Sequence, residues 1–260
     1  MIKRLTHVAA WTVCGFLVLP LLVIAPLSFT SGDLLVLPTP GWSLRWYADF
    51  FQSSRWLEAT RNSFLVGLAT SAIATPLGAM AAVGIDRLGG RSRRLLTGLL
   101  SLPLLAPVVI AALAIYLAFA AVGLTSSFAG LVLAHSLLAA PFVLLSVAAT
   151  LEGLDPSLMR AAASLGASPW VAWRRVLIPV LWPGIASGAL LAFATSFDEL
   201  VVALFVAGPG QITLPRQMYG GLREFLSPTL CAAAVLSSLL SVGMLGIATL
   251  LRRRTAEGVT

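Results

Sequence analysis

The chain is poor in the residue types on which soluble catalysis and nucleic-acid binding depend. Only 10% of its 260 residues are charged, where a soluble domain carries about 25%. Its single lysine is Lys3. A Walker A phosphate loop needs Gly-x-x-x-x-Gly-Lys-Ser/Thr, so that motif cannot exist here. There are two cysteines, Cys14 and Cys231, and two histidines, His7 and His135. Both cysteines lie in apolar blocks and read as small hydrophobes, not as a disulfide or metal pair. The histidines are far apart and lack ligand spacing. No Ser/His/Asp set or metal-ligand cluster is evident. The expectation is a non-catalytic chain that binds no cofactor or metal of its own.

What the chain does contain is long apolar runs. It is 58% hydrophobic, and each apolar block is about 20 residues or longer, enough to cross a hydrocarbon core of roughly 30 Å. Six spans are predicted, over residues 8–29, 63–85, 95–121, 129–150, 179–206 and 229–251. The net charge of +7 does not indicate nucleic acid, because the charges sit between the blocks and form no basic stripe. One alternating set of segments carries Lys3 and Arg4, then Arg87, Arg91, Arg93 and Arg94, then Arg160, Arg174 and Arg175, and finally Arg252, Arg253 and Arg254. The other set offsets its arginines with Asp33, Asp49, Glu58 and Glu224. By the positive-inside rule, both termini and residues 151–178 face the cytoplasm. The N-terminal apolar run is too long for a typical signal-peptide core and lacks a small-x-small cleavage site, so it reads as a retained first helix.

Two outer segments exceed simple turns. Residues 30–61 include GWSLRWYADFF, which reads either as an interfacial aromatic belt or as an amphipathic helix along the outer surface. Residues 207–227 form the second, and Ser227–Pro228 supplies a cap and first helical residue for the last span. Pro20, Pro26, Pro76, Pro103, Pro107, Pro141 and Pro183 fall inside or near the ends of apolar blocks and predict kinked helices whose freed carbonyls neighbours must cover. Gly184 and Gly188 form a GxxxG pattern suited to close helix packing. His135 lies in the fourth apolar block, where a histidine is a functional candidate by default; a satisfied helix-packing role is the preferred reading.

Residues 151–184, LEGLDPSLMRAAASLGASPWVAWRRVLIPVLWPG, form the one long segment between apolar blocks that combines charge, two prolines after capping residues and a central glycine. Asp155–Pro156 reads as cap plus first helical residue. Leu158, Ala162 and Leu165 share a face at helical spacing. Gly166 suits a left-handed stop, and Ser168–Pro169 repeats the start signal. Trp170, Trp173, Val176 and Leu177 give the second helix a large apolar surface. Two such short helices cannot bury their own apolar face. They must lie against the membrane surface, the bundle or a partner, and the first helix is alanine-rich and weakly basic for a lipid-binding helix.

Ala161-Ala162, three residues, Gly166, nine residues and Val176-x-Ile178-Pro179 resemble the "EAA" loop of permease subunits of binding-protein-dependent ABC importers. Arg160 stands where that family usually has Glu, and a cation near a helix start opposes the helix dipole. SLRWY, SFDELVVALFVAGP and TLPRQMY resemble the polyamine-type branch. The resemblance implies an all-α, polytopic membrane helix bundle with six transmembrane helices and the type I ABC importer transmembrane-domain fold. Its parts would be a first helix and outer segment (1–62), a core (63–251) with a coupling loop (151–178), and a cytoplasmic tail (252–260). It implies a bacterial-type inner-membrane location, a partner ATPase dimer carrying ATP and Mg, an external solute-binding protein, and a second permease, a paralogue in preference to a second copy. The coupling residues it implies are Asp155, Arg160, Ala161, Ala162, Leu165, Gly166, Trp170, Val176 and Pro179.

Asp198 and Glu199 lie in the outer part of the fifth span. Acids at that depth are wet, paired or functional. One reading makes them, with Phe197, part of a pathway for a cationic solute such as putrescine, spermidine or aminoethylphosphonate. The other pairs them with an arginine or a helix end. Adjacent residues on one helix point about 100° apart, so both do not face one lumen. A rival class, an ion-coupled secondary transporter, would use Asp198, Glu199 and His135 as its charge chain.

Overall fold

The computed structural model describes residues 2–155, 157–224 and 226–257. In chain order the helices are α1 (Ile2–Ser28), α2 (Arg45–Gln52), α3 (Ser54–Asp86), α4 (Gly90–Leu100), α5 (Leu102–Leu105), α6 (Val108–Ala121), α7 (Phe128–Glu152), α8 (Ser157–Ser164) and α9 (Pro169–Ala172). A π-helical turn (Trp173–Leu177) leads into α10 (Ile178–Phe197), followed by α11 (Val201–Val206), a 3₁₀ turn (Pro209–Gln211), α12 (Leu214–Glu224) and α13 (Pro228–Glu257). The only β pairing among the described residues is an isolated bridge between Thr30 and Trp42. Among the described residues, four stretches are long and apolar enough to cross a membrane: Thr6–Ser28, Ser54–Asp86, Phe128–Glu152 and Pro169–Phe197. Val108–Ala121 and Pro228–Met244 are shorter apolar helices.

Two expected spans are therefore discontinuous. The block at 95–121 breaks into α4, α5 and α6, because Pro103 and Pro107 lack the amides that a continuous helix needs. The block at 179–206 stops at Phe197 and restarts at Val201. Prolines 20, 26, 76, 141 and 183, by contrast, stay inside helices.

The chain divides into two compact units. The first comprises Met1–Ala59 and Arg216–Gly243. Here the outer segment folds back on itself. The Ser31 amide donates to the Gly41 carbonyl at 3.0 Å and the Ser43 amide to the Phe29 carbonyl at 2.7 Å. Trp46 Nε1 donates to the Thr30 carbonyl at 2.8 Å, and Tyr47 shares a 2.8 Å hydrogen bond with Ser28. An Arg45–Asp33 ion pair and the Arg45 guanidinium 4.2 Å from the Trp46 ring close the turn. Of the two readings of this segment the helix is realised, as α2. Trp46 and Tyr47 hold the segment together, while Trp42 stays exposed. Thr229 Oγ1 donates to Asp49 Oδ2 at 2.7 Å, and Ser227 accepts from the Thr229 amide at 3.2 Å, as the Ser227–Pro228 start signal requires. Cys14 is exposed and Cys231 buried, both as free thiols.

The second unit comprises Thr60–Pro215 and Met244–Thr260. Its frame is α7, with α10 on one side and α3 on another. A Cβ at Gly188 would lie 3.0 Å from Val143 Cα, and one at Gly78 would lie 2.6 Å from Val143 Cβ. The missing side chains let three backbones approach. Ser146 donates to the Gly184 carbonyl at 3.0 Å and Ser71 to the Ala189 carbonyl at 2.8 Å, tying α7 and α3 to α10. Around them pack Ala74, Ala139, Val143, Val147 and Leu181, all buried. His135 is buried on α7. Its Nδ1 lies 2.8 Å from Ser196 Oγ, which donates to Thr70 Oγ1 at 3.3 Å, so one polar chain ties α7, α10 and α3. A second cluster packs α11 on α6 through Ala112, Ile115, Val202 and Val206.

The glycine contacts generate the first test. Gly188→Leu forces bulk against the α7 backbone and is expected to lower stability by roughly 3 kcal/mol, whereas Gly84→Leu, at a position with nothing within 4 Å, should be tolerated. Thermal unfolding of the detergent-solubilised chain reads the difference, and equal midpoints would refute the close-packing role.

Candidate functional site

The segment between α7 and α10 is built from local signals. Asp155 Oδ1 accepts from the Ser157 amide at 2.8 Å, and the Leu158 amide donates to the Asp155 carbonyl at 3.2 Å, so Asp155 caps α8. Pro156 lies outside the described residues. The two Ser157 hydrogen bonds, backbone first and hydroxyl second, with the Arg160 charge adding to them, hold the Asp155 carboxyl below its ordinary value. Gly166 adopts φ +79°, the left-handed conformation that glycine takes most readily. The Ala167 amide donates to the Ala162 carbonyl at 3.1 Å and the Gly166 amide to the Ala163 carbonyl at 3.0 Å, a Schellman stop. Ser168 then caps α9, accepting from the Val171 amide at 3.5 Å.

The two short helices turn their large groups outward. Leu165 is 88% exposed and Trp170 64% exposed; Leu158 and Val171 are exposed as well. Trp170 and Trp173 stack at 5.2 Å. Ala161 is exposed and Ala162 half-buried, and Arg160 stands in solvent. Val176 is half-buried and Pro179 exposed at the start of α10. The π turn before Pro179 is a consequence of that proline. An α-helical register would direct the residue 179 amide at the Arg175 carbonyl, and proline has no amide. The widened turn pairs the Ile178 amide with the Trp173 carbonyl instead.

At its other end α10 leads to the acidic pair, and the structure separates the two roles. Asp198 is the C-cap of α10 through its backbone amide, and its side chain is exposed. Glu199 Oε1 accepts from the Val202 amide at 2.9 Å and so caps α11. Both residues have left the helix, so the 100° argument no longer constrains them. Phe197 is buried; it stacks on Phe193 at 5.7 Å and meets Phe64 edge-on at 5.2 Å. Phe64, at the margin of exposure, gives this aromatic cluster its accessible edge. His135 does not join the acids. It is paired to Ser196 inside the helix packing.

Two features had no sequence signal. Asn62 Nδ2 donates to the carbonyls of Gly210 (3.3 Å) and Ile212 (3.0 Å), and Ser63 Oγ accepts from the Leu214 amide at 2.8 Å, pinning the 207–214 loop to α3. Arg93 bridges Asp86 at 3.4 Å and Glu152 at 3.6 Å beside a cavity of about 460 Å³. Apart from Asp86 and Arg93, these partners lie 59 to 151 positions apart in sequence, beyond the reach of a local pattern.

Residues 74–257 match the family described as the binding-protein-dependent transport system inner membrane component. The chain belongs to this family. It is a non-catalytic, multi-pass inner-membrane permease subunit of a binding-protein-dependent ABC importer, and ATP hydrolysis resides on a separate subunit. The family implies an ATPase and a solute-binding protein as partners. The permease is 28% identical over 261 residues to the spermidine/putrescine transport system permease protein PotC of Escherichia coli (strain K12), covering 100% of this chain and 98% of that one. It is 33% identical to the putrescine transport system permease protein PotI of the same organism over 89% of this chain and 84% of the relative. It is also 30% identical to the trehalose transport system permease protein SugB of Mycobacterium tuberculosis, covering 95% and 92%. A bacterial ABC transporter that imports the acidic polysaccharide alginate superposes with a TM-score of 0.73 at 17% identity, covering 97% of each chain, which establishes the type I fold.

The caps predict that the loop is a prefolded unit. Gly166→Ala is expected to weaken the α8 stop by about 1 kcal/mol, and Ser168→Ala to weaken the α9 start by about 1 kcal/mol; faster amide exchange confined to 157–172 is the readout. Because the folded Asp155 carboxyl sits below its unfolded value, its capping contribution is complete above the ordinary carboxylate range and fades as pH falls through the lowered value. The Ser157 amide resonance should therefore titrate below the usual Asp midpoint, and a midpoint at the ordinary value would refute the cap.

Proposed function

We propose that this permease carries a small cationic organic solute, a polyamine or a similar amine, from an external binding protein to the cytoplasm. The observation that carries the solute reading is Asp198, an exposed carboxylate at the end of α10 beside the Phe64–Phe193–Phe197 cluster. A carboxylate attracts an ammonium group, and aromatic faces add cation–π attraction. Glu199, whose side chain caps α11, serves the geometry of the break between α10 and α11. The polyamine names of PotC and PotI support the reading. The similarity to SugB makes the chemistry at Asp198, more than overall identity, the ground for a cation.

The same reading assigns the 155–179 element to the ATPase, with Asp155, Arg160, Ala161, Ala162, Leu165, Gly166, Trp170, Val176 and Pro179 at or supporting the contact. What supports it is large apolar area held outward on a unit too short to fold against itself. Nucleotide and Mg act on the ATPase; this chain supplies the contact that feels their state. Leu165 and Trp170 lodge in the partner, and the capped helices keep that contact rigid. α10 follows the π turn directly and runs for 20 residues, about 30 Å, to the break that holds Asp198. A tilt of the docked element thus moves the carboxylate. Alternating access requires that the docked contact differ in free energy between the two global states. The second permease is a paralogue, and both termini face the cytoplasm.

Asp198→Asn is expected to raise the KM for putrescine uptake roughly tenfold, the loss of about 1.4 kcal/mol of attraction, with little change in thermal stability. Glu199→Gln should instead lower stability through the cap. Wild-type uptake kinetics in Asp198→Asn would refute the cationic pathway. Purification of the tagged chain in mild detergent should bring an ATPase and a distinct second permease. Recovery of the chain alone, transporting in liposomes without ATP, would refute the assembly.

A further inference from the structure

The charge of the docking element specifies its partner more closely than its apolar face does. Three arginines, Arg160, Arg174 and Arg175, stand exposed on the same short segment as Leu165, Trp170 and Val171. The nearby carboxylates are committed elsewhere. Asp155 is bound to the Ser157 amide, and Glu152 faces Arg93 at 3.6 Å. Asp155 and Arg160 feel each other's charge, but no ion pair of Arg160, Arg174 or Arg175 occurs among the described residues within 4.0 Å. The surface offered to a partner is therefore an apolar centre with a basic rim.

Burying Leu165 and Trp170 brings these guanidinium groups into the edge of the contact. A charge that loses water without gaining a partner is expensive, and opposite charges across a rim set specificity and association rate. The rim is made wholly of arginine, whose planar fork matches a carboxylate with two parallel hydrogen bonds. A lipid surface suits the segment less well. Ala161, Ala162 and Ala163 follow Arg160 and give that part of α8 a low profile that favours seating in a groove, and α8 holds one cation only.

We propose that the ATPase surface receiving this element is an apolar groove rimmed by carboxylates, at least one of which pairs with Arg160. The inference rests on the docking reading above and adds the sign and the residue type of the partner surface. It predicts that this permease discriminates among ATPase subunits by charge, accepting an acidic rim and rejecting a basic one.

The test uses the full complex, purified through a tag on this chain from its own membranes, with the amount of ATPase retained per permease measured across a sodium chloride series. Wild type is expected to lose ATPase progressively as salt rises. Arg160→Glu should reduce retention at least tenfold at low salt, and Arg160→Lys should retain an intermediate amount. Replacing the facing carboxylate of the ATPase, located by cross-linking to residue 160, with arginine should restore binding to Arg160→Glu. Wild-type retention in Arg160→Glu, or salt-independent retention in wild type, overturns the proposal. Leu165→Asp separates the two levels of the argument. If it abolishes retention while Arg160→Glu does not, docking stands and the acidic rim is wrong; if neither affects retention, the docking reading fails and the rim with it. Unchanged ATPase retention together with an Arg160-dependent preference for phosphatidylglycerol nanodiscs would overturn the proposal in favour of a membrane-facing role. Arg160→Lys, together with a monodisperse elution profile for each variant, guards against misfolding.

Discussion

The close approach of α10 to α7 is the contact on which the rest of the second unit depends. Glycines at 184 and 188 remove the side chains that would hold the helices apart, and a Cβ at Gly188 would already meet the Val143 backbone at 3.0 Å. Such packing is tight: Gly184 faces the Thr150 side chain, and Gly188 faces both the backbone and the side chain of Val143. Ser146 and Ser71 strengthen it by donating to carbonyls of α10.

α10 joins the π turn at one end to Asp198 at the other and packs along α7 between them. The polar chain from His135 through Ser196 to Thr70 lies close to the Phe197 end of the same helix and adds α3 to the contact.

The docking element shows how far local sequence reaches. Asp155, Gly166 and Ser168 could be assigned their caps from residue type and spacing alone, since each acts on amides or carbonyls within five positions. The acidic pair could not be resolved that way. Asp198 and Glu199 sit in an unbroken apolar window and read as neighbours on one helix. The break between them and Val201 exists because Glu199 reaches forward to cap a new helix and because α11 packs on α6. Phe197 gathers with Phe193 and with Phe64 of α3, a contact that no local pattern encodes. Arg93 bridging Asp86 and Glu152 joins three helices that no sequence period connects.

Hydropathy, capping residues and loop spacing by themselves determined that this chain is a helical membrane protein with two short capped helices between α7 and α10, and they pointed to its family. Each of those signals acts over a few residues or over the length of one helix, so the sequence carries it without a fold. Which of two adjacent acids is left free, which block is one helix and which is three, and which arginines remain uncommitted were decided only by tertiary structure. These outcomes depend on contacts such as Ser71 with Ala189, 118 residues apart, whose free energy exists only once the helices have packed.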